Sequence, residues 1–139
     1  MRVHISASGS EVALRSETVV PASPGAPSFA RAALDSEMAS SALRSRIDDA
    51  KTVISEVVTN AVKYGTGNGH DDIRVVIDSS DERVLVRVEQ PLPADSVRPD
   101  GPRPIAQFGG FGLLIVETLA DAWGVESGPP GCVWFQIGA

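Results

Sequence analysis

The sequence predicts an α+β two-layer sandwich, a mixed and mainly antiparallel sheet with its helices on one face. Three observations carry this. Ile73–Ile77 and Val84–Val88 are two β-branched runs joined by Asp78-Ser79-Ser80-Asp81-Glu82, which reads as a hairpin. Leu43, Ile47, Ala50, Ile54, Val57 and Ala61 recur at the three–four spacing of an amphipathic helix. Phe108-Gly109-Gly110-Phe111-Gly112 runs straight into a second helical pattern. Strands and helices in this order suit a sheet with helices packed against one side.

Taken in order, residues 3–20 alternate loosely and predict one or two strands with a turn at Gly9-Ser10. Pro21 to Pro27 is a loop, and Pro27 suits the first turn of a helix through Phe29, Ala33 and Met38. Ser40-Ser41 interrupts that helix, and the next one runs to Tyr64, where the glycine-rich Gly65–Gly69 ends it. The two strands of the 73–88 hairpin follow. Pro91 to Gly110 holds five prolines with few large apolar residues, a composition that predicts a lid. Leu113, Val116, Leu119, Ala120 and Trp123 then share one helical face, with Gly124 as the expected stop. Val125 and Cys132–Ile137 predict a closing hairpin around Gly128-Pro129-Pro130-Gly131. Trp123 and Trp134 fit core positions better than a stacking platform.

Length and composition narrow the function classes. The 139 residues suit a single domain, residues 1–139, with one core, and 42% hydrophobic content is ordinary for a globular chain. A net charge of −6 argues against nucleic acid, which needs clustered Lys and Arg. No stretch approaches the roughly 20 apolar residues of a membrane span, and the N-terminus has no signal-peptide core, so a cytoplasmic protein is expected. Cys132 is the only cysteine, which excludes an intrachain disulfide. His4 and His70 lack companions at ligand spacing, so structural zinc is not expected.

Two segments can carry chemistry. Glu56 and Asn60 lie one turn apart at the rim of the buried stripe. A carboxylate and a carboxamide stacked this way can hold a hydrated metal or orient a hydroxyl; an ordinary solvated helix face has the same spacing. The glycines before Leu113 let the backbone approach an anion, with the first free N–H groups of the helix pointing at it. A glycine-rich turn is also a common way to enter any helix.

Together the two segments resemble the nitrogen box and second glycine box of the GHKL ATPase superfamily. Glu56, Asn60 and Ala61-Val62-Lys63-Tyr64 match the first, and Gly110-Phe111-Gly112-Leu113 the second. The run from Val116 to Gly124 and the final Val133-Trp134-Phe135 are similar to the anti-sigma-factor serine kinases and related actinobacterial ATP-binding proteins. The resemblance covers about Val20 to Ile137. It implies a Bergerat-type fold, ATP and Mg²⁺ as cofactors, Glu56 as catalytic base and Asn60 as metal ligand. It also implies nucleotide contacts from Lys63, Tyr64, Gln90, Gly110, Gly112 and Leu113. A sigma factor or a STAS-domain antagonist is the partner it implies, with a homodimer as a further option.

One position departs from that pattern. The family's adenine-reading Asp falls on Gln90, at the end of Val86-Arg87-Val88-Glu89-Gln90. Glu89 is one residue out of register and belongs to the opposite strand face. Two other readings stay open. One is a module of the same fold that sequesters a sigma factor or antagonist without turnover. The other is an acetyltransferase, because Gln107–Gly112 also reads Q-x-x-G-x-G like a pyrophosphate loop, although a proline-rich stretch stands where that family has a strand.

Overall fold

Alternation along single strands builds the two layers. The computed structural model describes residues 2–8, 11–39, 42–64, 72–90, 112–126 and 131–138. The chain forms β1 (Arg2–Ser8), β2 (Glu11–Pro21), α1 (Ala26–Met38), α2 (Ile47–Tyr64) and β3 (Asp72–Ser79). Then come β4 (Arg83–Gln90), α3 (Gly112–Leu119), β5 (Ala122–Glu126) and β6 (Gly131–Gly138). A short 3₁₀ turn, Arg44–Arg46, leads into α2. The strands make one sheet in the order β1-β2-β3-β4-β6-β5, and each pairing is antiparallel. The expected hairpins at 73–88 and around 128–131 are both present.

Val84, Val86 and Val88 of β4, Ile73, Val75 and Ile77 of β3, and Phe135 and Ile137 of β6 fall on one face and are buried. They join Leu34 and Met38 of α1, Val53, Ile54, Val57 and Val58 of α2, and Val116 of α3 in one cluster. Burial of such side chains is worth about 1.5–3 kcal/mol each and is the main force holding helices to sheet. The other face of the sheet is a charged ladder. Arg74 donates to Glu17 at 2.6 Å and Arg87 to Glu126 at 2.9 Å, while Glu89 lies 3.7 Å from Arg74 and 3.6 Å from Arg87. Val76 and Cys132 are buried on this face. Burial pushes the Cys132 thiol up to about 11, so it stays protonated and unreactive at neutral pH.

Two expectations are corrected, the end of the third helix and the place of Trp134. α3 stops at Leu119, and Gly124 lies in β5 instead of ending the helix. The chain leaves the helix where the Asp121 N–H donates to the Gln136 carbonyl at 2.9 Å, so pairing with β6 displaces the next helical turn. The helix expected through Phe29, Ala33 and Met38 is present as α1; Ala26, Ala30, Ala33, Leu34 and Met38 form its buried face, and Phe29 is 61% exposed. Trp123 packs against the core, but Trp134 belongs to the other face of the sheet, opposite Gly124.

Gly124 leaves room for that indole. A Cβ there would come within 2.7 Å of Trp134 Nε1. Gly124→Ala is therefore expected to destabilise the protein by about 1–3 kcal/mol through forced repacking. Urea denaturation checks this, and an unchanged midpoint would show that the indole shifts freely.

Candidate functional site

The nitrogen-box residues lie on the edge of a well-packed helix. Ala50, Val53, Ile54, Val57, Val58 and Ala61 bury one side of α2. Its first turn carries Asp48 and Asp49, which complement the positive end of the helix dipole. Glu56 and Asn60 flank the buried side. Glu56 is half-buried and has no cation or hydrogen-bond donor against it among the described residues. Asn60 is only 8% exposed, and its Nδ2 has no hydrogen-bond partner among the described residues.

An unsatisfied buried amide costs about 1–3 kcal/mol. Two other buried polar atoms share this state, the hydroxyls of Ser16 and Thr18 in β2. Asn60 differs from them because it stands one turn from a carboxylate with no partner among the described residues. Its carboxamide can present an N–H to a phosphate oxygen or, after a half-turn about its terminal bond, a carbonyl oxygen to a hydrated cation. The donor set thus fits a magnesium nucleotide, since Mg²⁺ takes oxygen ligands and few of them from protein.

α3 packs against α2 and begins at Gly112. The N–H groups of its first turn have no partner within the helix and form an anion-binding end. Gly110 and the lid expected over 91–110 lie outside the described residues. Gly112 and Leu113 are placed in α3 by their backbone, and Lys63 and Tyr64 close α2 in the same way. The side chains of Leu113, Lys63 and Tyr64 lie outside what is described.

Gln90 ends β4 opposite Gly131, in the strand parity of the buried Val84, Val86 and Val88. Glu89 takes the other parity and is ion-paired to Arg74 and Arg87. Gln90 and Glu89 therefore belong to opposite faces of β4, and Glu89 is engaged in ion pairs on the charged face.

A polar junction that the sequence did not disclose ties the elements together. Arg46, just before α2, donates to the Asp121 carboxylate at 2.7 Å and to the Leu119 carbonyl at 2.9 Å. The Gly138 N–H donates to the same Asp121 oxygen at 2.6 Å. That N–H first, and the Arg46 guanidinium second, hold the Asp121 carboxyl below its usual 3.8. The stabilisation is present above the unfolded-chain value and is lost only as pH falls through the lowered one. A sequence signal existed: a cation at the start of a helix opposes its dipole, so Arg46 must serve something other than α2.

Comparison with known proteins decides the family. The histidine kinase-like ATPase domain matches residues 20–137. The chain belongs to that family. This settles the choice against an acetyltransferase. Over 93 residues the chain is 31% identical to the anti-sigma F factor of Clostridium beijerinckii, an alignment covering 58% of this chain and 62% of that protein. The fold is also similar to a crystal structure of the RsbU and RsbW domains of a Mycobacterium tuberculosis protein. That match has a TM-score of 0.64 and 22% identity, and covers 88% of this chain and 32% of the other. The chain thus spans about three fifths of the one relative and a third of the other. No helix among the described residues is long and apolar enough to cross a membrane.

Proposed function

We propose that this chain is an anti-sigma regulator that binds Mg-ATP between α2 and α3 and phosphorylates a serine or threonine of a STAS-type antagonist. The observation that carries the proposal is the buried Asn60 Nδ2, without a hydrogen-bond partner among the described residues, one turn from the half-buried Glu56 carboxylate. Family membership and the likeness to an anti-sigma F factor support the regulatory role.

In this mechanism Asn60 would hold the cation, while Gly110, Gly112 and Leu113 would offer backbone N–H groups to phosphate oxygens. Lys63 and Tyr64, at the end of α2, would contact the nucleotide. Bound magnesium would supply neutralisation of the phosphate charge. Glu56 orients the attacking hydroxyl and takes its proton as the bond to the γ-phosphorus forms and the bond from phosphorus to the β,γ-bridging oxygen breaks, leaving ADP. The acceptor Oγ leaves as a phosphate ester.

Gln90 favours a second reading, a module that sequesters a sigma factor or antagonist with weak turnover or none. A neutral amide reading the adenine amino group forgoes a charge-assisted hydrogen bond, about 1.5–3 kcal/mol against about 0.5–1.5 for a neutral one, or on the order of tenfold in affinity. Calorimetric titration of ATP, GTP and ADP, with and without magnesium, tests both readings. The expected result is weak ATP binding with poor discrimination against GTP. Gln90→Asp should tighten ATP by about tenfold and leave GTP unchanged or weaker. Tight parental binding unaffected by Gln90→Asp would mean that another group reads the base. No binding of any nucleotide by either protein would favour the sequestering module.

A further inference from the structure

α3 is thinly held for an element that must aim its N-terminal end. From Leu114 to Leu119 only Val116 is fully buried, and Leu114 is 44% exposed. Leu119 also packs against the core, and the polar contacts that hold the helix to its neighbours gather at its C-terminal end. The Ala120 N–H closes the last turn on the Val116 carbonyl at 2.8 Å. Arg46 caps the Leu119 carbonyl, one of the acceptors a helix end leaves open. The same guanidinium meets Asp121, which also receives the Gly138 N–H, and lies 3.4 Å from an Asp49 carboxylate oxygen in the first turn of α2. One planar fork thus joins the end of α3 and the start of α2, and through Asp121 the end of β6.

We infer that Arg46 is a positioning residue: by joining the Leu119 carbonyl and the Asp121 carboxylate to the start of α2, it sets the angle at which α3 presents Gly112 toward the Asn60 end of α2. This rests on the proposed nucleotide site between those helices. Leu119 and Gly112 are opposite ends of a helix about 12 Å long, so a tilt of about 15° at the anchor moves the Gly112 end by about 3 Å. Displacements of about 1 Å already matter for groups that must meet a ligand. Asn60 lies roughly four turns further along the helix that carries the anchor. The fork therefore references both halves of the site to one rigid element. The acidic groups around it are Asp49 and Asp121, both at the fork.

The test uses the 139-residue chain with Arg46→Ala, Arg46→Lys and, as control, Arg74→Ala, which breaks ion pairs on the opposite face of the sheet. Affinities for Mg-ATP and AMP are measured by calorimetry, and amide hydrogen exchange is followed without nucleotide. Arg46→Ala is expected to weaken Mg-ATP about tenfold, with AMP affinity near parental, and to speed exchange in α3 but not in β3 or β4. Arg46→Lys should recover part of the loss, since an ammonium lacks the planar fork that reaches two acceptors at once. Arg74→Ala should leave nucleotide affinity unchanged. If the parent binds Mg-ATP and Arg46→Ala binds it equally, or loses ATP and AMP alike, the inference is overturned while the site stands. If the parent binds neither nucleotide, the proposed site fails and the inference falls with it.

Discussion

Glu56→Gln is expected to lower phosphoryl transfer to a STAS-type substrate by about 10²–10⁴-fold, the usual contribution of a positioned general base. The substitution keeps the shape and the acceptor oxygen but removes the lone pair that takes the proton. Glu56 is half-buried, with no cation against it among the described residues. Neutralising it therefore leaves no partner charge stranded, and the fold should be unaffected. Nucleotide affinity should stay within about twofold, because in the proposed mechanism the group meets the acceptor hydroxyl and not the phosphates. Single-turnover transfer of labelled phosphate, run beside a nucleotide titration, separates the two effects. Transfer at the parental rate would remove Glu56 from the chemistry.

Asn60→Ala should move stability and binding in opposite directions. In the free protein, Asn60 carries a buried Nδ2 with no partner among the described residues, and it occupies a helix interior where Ala is the better former. Removing an unsatisfied amide recovers part of its cost of about 1–3 kcal/mol. The free variant should therefore melt at or above the parental temperature. Mg-ATP affinity should fall by about 10–100-fold, through loss of a charge-assisted contact of about 1.5–3 kcal/mol. The thermal shift that saturating Mg-ATP gives the parent should shrink accordingly. An unsatisfied polar group kept at the expense of stability is what a binding site produces. Thermal melts with and without Mg-ATP check both halves. Equal nucleotide affinity in variant and parent would show that Asn60 holds no part of the ligand.

The elements that were legible from local pattern share one property: their partners are close in sequence or repeat at a fixed period. The buried stripe of α2 follows from its three–four spacing, and the hairpin of β3 and β4 from two β-branched runs and a short polar turn. Glu56 and Asn60 are a turn apart on one helix, so their neighbourhood needed no long-range information. The register of Gln90 against Glu89 was equally local, since strand alternation alone assigns them to opposite faces.

What the sequence by itself determined was the two-layer architecture, the nitrogen box and the family those boxes resemble, all set by spacing within single elements. The tertiary structure decided what spacing could not. Periodicity carried the third helix on to Gly124, but hydrogen bonding to β6 ends α3 at Leu119 and turns Ala122–Glu126 into an edge strand. The helix through Phe29, Ala33 and Met38 was legible, but which of its sides meets the sheet was not: Ala26, Ala30, Ala33, Leu34 and Met38 are buried and Phe29 is exposed. Trp134 found its place opposite a glycine in a neighbouring strand. Arg46 and Asp121 are 75 positions apart in sequence. A hydrogen bond between such distant residues has no periodic signature, because it forms only after hydrophobic burial has brought the two chain segments together.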